Sequence, residues 1–306
     1  MIPVIIGVSF LVFFIMDLAP GDAVDILAPE GATAEDLEAI RHDLGLDQPV
    51  IVRYVKYMGG MLHGDVGVSY VSKTDVFDTY MEKLPATIKL SFASILVSIL
   101  LSVPLGIYSA TRQGTVQDNI SMIVAMIGLS MPNFWLGLLL IIVFSLNLGW
   151  FPSGGDQTLS SIVLPAIPIG TGLMATLTRT TRSSMLDVLK QEYLRTARAK
   201  GIPEKIVITS HALRNALIPI ITIIGTQLAG VLGGSVLTET VFAWPGVGRL
   251  IVDSLNMRDT PLVTGSIIMT TILLSIILLL VDLLYAVVDP RIKAQYVAKR
   301  GKKKHG

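Results

Sequence analysis

Long apolar segments that are nearly free of charge constrain this chain more than any other feature. A helix that crosses a bilayer needs about 20 predominantly apolar residues. Six segments of this kind can be drawn, at about residues 2–19, 90–110, 120–146, 162–178, 216–237 and 262–288. Hydrophobic residues make up 52% of the 306 residues, and the mean hydropathy is +0.67. The sequence therefore predicts an all-α membrane protein with six transmembrane helices rather than a soluble enzyme.

The distribution of Lys and Arg predicts the orientation, because short cytoplasmic loops carry an excess of them. With the N-terminus inside, the inner segments 111–119, 179–215 and 291–306 hold 1, 8 and 7 basic residues. The outer segments 20–85, 148–160 and 239–262 hold 5, 0 and 2. We therefore expect a multi-pass protein of the cytoplasmic membrane with both termini in the cytoplasm. The basic tail 291–306 is best explained as a topology anchor, although it also suits contact with anionic membrane lipid.

The largest polar segment, 20–85, lies on the predicted outer side and holds 12 acidic residues. Thr33 and Asp36 are spaced as in a capping box, which predicts a helix that ends near Gly45. Pro49 then favours the start of a second amphipathic helix. The two helices either meet a substrate-binding protein or cover the mouth of a pore, and the two roles are compatible.

A polar island at 183–215 interrupts the apolar segments and holds too many charges for hydrocarbon. Gly201 suits the end of one helix and Pro203 the first turn of the next, so two short helices joined by a corner are expected. One modest apolar stripe is predicted on this loop. Its members are Leu186, Leu189, Tyr193 and Ala197.

This island resembles the cytoplasmic coupling loop of bacterial ATP-binding-cassette (ABC) importer permeases of the peptide and nickel subgroup. In that family an Ala-rich triplet precedes a Gly by a fixed interval. Arg195-Thr196-Ala197, followed after three residues by Gly201, matches it. The first position departs from the general pattern, which has Glu, and agrees with the Arg-Thr-Ala of the peptide subgroup. The candidate coupling residues are Glu192, Arg195, Thr196, Ala197, Arg198, Lys200 and Gly201.

Further motifs extend the resemblance over nearly the whole chain. Segments 64–70 and 20–22 resemble Gly-Asp signatures of peptide permeases, and their glycines are expected to serve tight turns. Segments 239–248, 259–261 and 289–291 resemble an outer loop and the end of the last helix in the same family. The resemblance implies the arrangement of a type I ABC importer permease, with segments 1–19 (first helix), 20–85 (outer segment), 86–290 (five-helix core) and 291–306 (tail).

The resemblance also implies the partners and the function. A second, homologous permease subunit, two cytosolic ATPase subunits, an extracytoplasmic substrate-binding protein and a peptide substrate are expected, and nucleic acid is not. This chain would need no cofactor, because the partner ATPases use the ATP and Mg²⁺. The predicted function is import of dipeptides or oligopeptides; nickel or a metal chelate is the alternative cargo, and a gradient-driven secondary transporter is the alternative class.

Polar residues in the fourth and fifth spans are the candidate translocation path, although small and polar residues equally favour helix contacts. The candidates are Thr171, Thr176, Thr222, Thr226, Gln227, Ser235 and Glu239. For Glu239, helix capping is an equally good interpretation. Two prolines and two glycines in 162–172 predict a kinked fourth span.

The sequence offers no motif for ATP hydrolysis or metal binding. It has no Gly-x-x-x-x-Gly-Lys-Ser/Thr phosphate loop, so ATP hydrolysis by this chain is not expected. Its four histidines have no ligand spacing, so no metal site is predicted. Asp282 is assigned a structural rather than a proton-relay role. Because the chain starts almost inside the first span, a start codon assigned too late is preferred over a cleaved signal peptide.

Overall fold

A computed structural model of the chain describes residues 2–18, 24, 27–29 and 31–288, and for residues 282 and 284–288 it describes the backbone alone. The motifs at 20–22 and 289–291, the tail 291–306 and the side chain of Asp282 lie outside the described residues. Two compact units are present, one within 1–89, 154–156 and 232–275 and the other within 90–153, 157–231 and 276–306. They are called the first and the second unit.

The described secondary structure is helical. In chain order the α-helices are α1 (Ile2–Leu18), α2 (Ala34–Asp43), α3 (Val50–Leu62), α4 (Val76–Thr111), α5 (Val116–Ser130), α6 (Asn133–Leu140), α7 (Val163–Gly172), α8 (Met174–Leu189), α9 (Glu192–Ala199), α10 (Glu204–Ile206), α11 (Leu213–Gly234), α12 (Val236–Val241), α13 (Val247–Asn256) and α14 (Thr260–Val288). A π-helical segment, Ile141–Asn147, extends α6, and another, Val207–Ala212, joins α10 to α11. A 3-10 turn, Leu159–Ile162, precedes α7.

These helices occupy the positions of the six predicted spans. Among the described residues, three helical stretches are long and apolar enough to cross a membrane: Val76–Thr111, Glu204–Gly234 and Thr260–Val281. Two bent pairs, α5 with α6 and α7 with α8, add one crossing each if each pair forms a single span, and α1 is a shorter apolar helix of 17 residues. The predicted all-α membrane fold is confirmed.

The two bent pairs correct the expectation of simple spans. α5 and the helix that follows meet at 93°, so the predicted span 120–146 is not one straight helix. Pro132 explains the break, because proline disfavours helical geometry in the residue before it and Met131 is extended, with ψ 126°. α7 and α8 meet at 55°, which confirms the kink predicted for the fourth span. That break falls at Leu173, and Pro168 lies inside α7.

Helix α4 begins earlier than hydropathy predicts. Its 36 residues start at Val76, within the segment expected to be polar. Asp75 explains this start, since its Oδ1 accepts hydrogen bonds from the backbone N–H groups of Phe77 at 2.8 Å and Asp78 at 3.1 Å. Such capping satisfies donors that a helix N-terminus leaves free.

The capping box predicted for α2 is present in the first unit. The Thr33 N–H donates to Asp36 Oδ2 at 2.8 Å, and the Asp36 N–H donates to Thr33 Oγ1 at 3.3 Å. The Thr33 hydroxyl also donates to Asp36 Oδ2 at 2.7 Å, and this hydrogen bond, together with that from the Thr33 N–H, holds the pKa of Asp36 below its usual value. After α2, Gly45 adopts a φ of +66°, as expected for a residue that ends a helix.

Helices α4 and α8 approach closely in the second unit. A Cβ placed on Gly106 would lie 2.6 Å from Thr181 Cβ and 2.9 Å from the backbone oxygen of Thr178. Glycine at this position therefore lets the two helices meet, as small residues do in membrane helix pairs.

We expect Gly106→Ala to destabilise the protein by about 1–3 kcal/mol, because the added methyl group overpacks a contact that includes backbone. The measurement is the apparent melting temperature of the purified protein in detergent. Gly230→Ala in α11 is the matched control, since nothing lies within 4 Å of a Cβ built there. Equal melting temperatures for the two variants would contradict the close contact.

Candidate functional site

The predicted corner in the polar island is present. Helix α9 ends at Ala199, Gly201 adopts a left-handed φ of +78°, and Pro203 precedes α10. The Gly201 N–H donates to the Arg198 carbonyl at 3.0 Å. Nothing lies within 4 Å of a Cβ built on Gly201, so its backbone angle rather than space explains the glycine.

The inner face of α9 packs on its own unit. Leu194 is fully buried and Ala197 is 8% exposed. Both belong to one apolar cluster with residues of α4, α8, α11 and the π-helical segment before α11: Ala110, Leu177, Met185, Val207, Ala212, Ala216 and Ile220. Helix α9 is therefore anchored to the helices that continue into the membrane segments.

The apolar stripe predicted for this loop is wrong at Tyr193, whereas Leu186, Leu189 and Ala197 all pack in one apolar cluster. Helix α8 ends at Leu189 and α9 begins at Glu192, so Leu186 and Leu189 do not share a helix with Tyr193. Leu194 is buried beside Ala197, whereas Tyr193 is 42% exposed. The break between the helices resets the helical phase, which spacing along the sequence does not reveal.

The outward face of α9 is polar. Six of the seven predicted coupling residues are exposed, and Ala197 is the buried exception. The exposed residues are Glu192, Arg195, Thr196, Arg198, Lys200 and Gly201. The surface they form is called the α9 face below.

An ion pair closes the corner after α9. Arg198 Nη2 lies 2.9 Å from Glu204 Oε1, and Arg198 Nε lies 3.0 Å from Glu204 Oε2. The hydrogen bonds to Glu204 raise the pKa of the Arg198 guanidinium. The Tyr193 hydroxyl accepts from Asn215 Nδ2 at 2.8 Å, a further link from α9 to α11. The loop that carries the α9 face is thus stabilised by a local ion pair and a hydrogen bond to α11.

The candidate path residues of the second unit lie on α7, α8 and α11. Thr171, Thr222 and Thr226 each donate to a carbonyl of their own helix, and Thr176 is exposed. Gln227 differs from them, because its Nε2 donates across to the carbonyl of Leu173 at 3.1 Å. Its Oε1 is buried and has no partner among the described residues. Gln227 therefore binds the kink between α7 and α8.

The two remaining path candidates, Ser235 and Glu239, lie together in the first unit. Glu239 is fully buried. Its carboxyl group accepts hydrogen bonds from Thr87 Oγ1 at 2.9 Å, Ser235 Oγ at 2.8 Å and the Arg249 N–H at 3.2 Å. The Thr87 hydroxyl in turn accepts from the Val247 N–H at 2.8 Å. These contacts favour the capping interpretation of Glu239.

Two of the motifs behind the resemblance meet in the first unit. Asp259 is 1% exposed, and its carboxylate accepts from the Ser69 hydroxyl and from the Tyr70 N–H, the latter at 3.1 Å. Gly64 and Gly67 adopt φ values of +88° and +95°, which confirms their predicted role in turns. Segments 64–70 and 259–261 therefore form one structural contact.

The second unit contains a buried ion pair that was not predicted from the sequence. Arg182 on α8 donates from Nε to Asp118 Oδ1 at 2.8 Å and from Nη2 to Oδ2 at 2.7 Å. Asp118 also accepts from the Ser109 hydroxyl and from the Gly114 N–H at 3.0 Å. The pair joins the first turn of α5 to α8, which leads into the polar island. In the sequence, these two residues appear as one carboxylate and one guanidinium at the edges of apolar spans, 64 residues apart. Nothing in that spacing indicates that they pair.

Similarity to known proteins covers almost the whole chain. Relatives include the oligopeptide transport system permease protein AppB of Bacillus subtilis (strain 168), 44% identical over 303 residues that cover 95% of this chain and 96% of AppB. The glutathione transport system permease protein GsiC of Escherichia coli (strain K12) is 40% identical over 293 residues, 96% of each chain.

Solved structures share the fold at low sequence identity. A chain of the MetNI methionine ABC transporter in an inward-facing conformation is 19% identical, with a TM-score of 0.57, and the match covers 70% of this chain and 97% of that one. A chain of an amino acid ABC transporter with histidines is 13% identical, with a TM-score of 0.51, over 70% of this chain and 94% of that one. The predicted arrangement of a type I ABC importer permease is confirmed.

Two family profiles together span most of the sequence. Residues 1–91 match the N-terminal profile of binding-protein-dependent transport system membrane components. Residues 102–294 match the profile described as binding-protein-dependent transport system inner membrane component. This chain belongs to the family of binding-protein-dependent transport system inner membrane components.

Proposed function

We propose that this chain is a permease subunit of an ATP-driven importer that moves peptides across the cytoplasmic membrane. The observation that carries this function is the α9 face, an exposed polar surface on a helix whose opposite side is buried among α4, α8 and α11. The cargo is inferred from relatives of at least 40% identity whose names specify oligopeptides and glutathione, which are both peptides.

The partners follow from this function. Two cytosolic ATPases bind the loop 183–215 and use ATP with Mg²⁺, and a second permease subunit completes the membrane pathway. An extracytoplasmic binding protein delivers the peptide to the side of the outer segment 20–85. The five-helix core 86–290 and the tail 291–306 complete the chain, with both termini in the cytoplasm.

Anchoring of α9 supplies a physical route for coupling. Leu194 and Ala197 pack against α8 and α11, so a force applied to the α9 face moves these helices with it. Helix α8 meets α7 at Leu173, where Gln227 of α11 binds the kink. Movement of α8 relative to α7 therefore acts on the proposed path residues Thr171, Thr176, Thr222, Thr226 and Gln227. Ser235 and Glu239 remain path candidates in the first unit.

The test is ATP hydrolysis by the reconstituted complex in vesicles with its binding protein. We expect a panel of dipeptides and oligopeptides to stimulate hydrolysis, and nickel salts or chelates to have no effect. Stimulation by nickel alone would be consistent with the coupling mechanism but would contradict peptide as the cargo. Failure of the chain to copurify with ATPase subunits would overturn the ATP-driven function in favour of a gradient-driven transporter.

The charge of the α9 face can be separated from the local ion pair by a swap. We expect Arg198→Glu to lower the ratio of peptide transported to ATP hydrolysed several-fold, because it reverses a surface charge and places two carboxylates together. The double variant Arg198→Glu/Glu204→Arg re-forms the ion pair with reversed polarity. If the ATPases recognise the positive charge of Arg198, the double variant stays uncoupled.

The matched control is Arg41→Glu/Glu38→Arg on α2, which swaps another exposed Arg–Glu pair at 2.9 Å. We expect it to keep the parent's ratio of peptide transported to ATP hydrolysed, because α2 belongs to the outer segment and not to the loop that binds the ATPases. Full recovery of coupling in the Arg198/Glu204 swap would show that the pair only supports the loop, and would contradict recognition of its charge.

A further inference from the structure

Helix α3 presents its apolar side outward and a charged side inward. The α3 stripe consists of Ile51, Val52, Val55 and Leu62, which are 64%, 43%, 63% and 84% exposed. At 3.6 residues per turn, Ile51, Val55 and Leu62 fall within about 40° of one another, and Arg53 points to the opposite side. The Arg53 side chain is only 16% exposed and donates to Asp17 Oδ1 of α1 at 2.6 Å. A helix on a surface in contact with water has the reverse arrangement.

Helix α3 meets α1 within the apolar length of α1. The Tyr54 hydroxyl lies 2.9 Å from Ser9 Oγ and donates to the Ile6 carbonyl at 3.3 Å. Ile6 precedes Leu18, the end of α1, by about 18 Å at a rise of 1.5 Å per residue. The contacts of α3 with α1 therefore extend from Asp17, one residue before the end of α1, to Ile6 deep along it.

The exposed apolar surface of α1 continues onto α3. Phe10 and Phe14 of α1 are 44% and 40% exposed, and their rings stack with centroids 6.0 Å apart. The Tyr54 ring of α3 packs edge-on against Phe10 at 5.4 Å. A medium that covers the apolar surface of α1 thus extends to α3 at the same depth.

We propose that acyl chains of membrane lipid cover the α3 stripe, so that α3 lies within the bilayer and anchors the outer segment 20–85 to it. Three observations point to hydrocarbon rather than to a water-borne partner. The exposed side is apolar, the charged pair Asp17–Arg53 is turned inward, and the patch is continuous with α1. Lys56 lies beside the stripe, and its Nζ donates to Gln48 Oε1 at 2.7 Å. Its long stem lets the ammonium group stay near the headgroups while the stripe is in hydrocarbon.

This chain has no cysteine, so a single label can be placed at one chosen position of it. Val55→Cys and, on a separate chain, Leu62→Cys are labelled with bimane in the complete complex, reconstituted in vesicles. Quenching is then measured with lipids brominated on their acyl chains and with aqueous iodide. Glu38→Cys, whose native side chain is 70% exposed on the polar helix α2, is the aqueous control. The complex with the unmodified chain is the labelling blank.

We expect brominated lipid to quench the label at Val55 and Leu62 several-fold more than the label at Glu38, with the opposite order for iodide. Iodide quenching at both stripe positions equal to that at Glu38 would place the stripe in water and overturn the proposal. Protection from both quenchers would identify a protein partner as the cover, and would also overturn it. Two stripe positions keep the test decisive if one variant does not assemble.

Discussion

Asp118→Ala is expected to destabilise the protein by about 3 kcal/mol, because it leaves the Arg182 guanidinium without its carboxylate. Removal of one partner of a buried pair costs about 3–5 kcal/mol, and the lower end applies because the Arg182 side chain is 27% exposed. The Ser109 hydroxyl and the Gly114 N–H also lose their acceptor. The apparent melting temperature in detergent should fall by about 5–10 °C.

Two further variants test whether the pair itself is responsible. Asp118→Ala/Arg182→Met removes both charges, and we expect it to recover more than half of the lost stability, since an apolar replacement of a buried pair is often neutral. Glu38→Ala removes a carboxylate from an exposed pair on α2 and should change stability by less than about 1 kcal/mol. Equal losses for Asp118→Ala and the double variant would contradict the ion-pair explanation.

Glu239→Ala is expected to destabilise the first unit by about 3–5 kcal/mol. The Thr87 and Ser235 hydroxyls and the Arg249 N–H would lose an acceptor inside the protein, and each unsatisfied buried group costs about 1–3 kcal/mol. The measurement is again the melting temperature in detergent. Thr240→Ala, on the exposed side of the same helix, is the matched control and should have little effect.

The isosteric variant Glu239→Gln separates stability from a role in the path. Its amide group still accepts at one oxygen but presents N–H donors to the other donors, so we expect a smaller loss of about 1–3 kcal/mol. Peptide-stimulated ATP hydrolysis by the assembled complex should keep its dependence on peptide concentration. A large change in that dependence with an unchanged melting temperature would instead assign Glu239 to peptide contact.

Local chemistry accounts for the features that were predicted correctly. The capping box of Thr33 and Asp36 and the corner at Gly201 each depend on residues within four positions of one another. The positions of the apolar spans follow from hydropathy, because a bilayer excludes charged side chains along about 20 residues. Neither prediction requires knowledge of which helices are neighbours.

The errors arose where helices break. Spacing placed Leu189 and Tyr193 on one stripe, yet the chain starts a new helix at Glu192 and buries Leu194 instead. Hydropathy identified 120–146 as apolar but did not reveal that the chain turns by 93° near Pro132. A window of apolar residues does not record the direction of the helix axis, so breaks of this kind escape it.

The sequence by itself determined that this is an all-α membrane protein with a charged loop after the fourth span, because apolar length and charge act locally. Only the tertiary structure decided which distant groups pair. Asp118 meets Arg182 across 64 residues, Thr87 meets Glu239 across 152 and Ser69 meets Asp259 across 190. The physical reason is that a buried polar group requires a partner but does not specify which residue supplies it; the packing of the helices makes that choice.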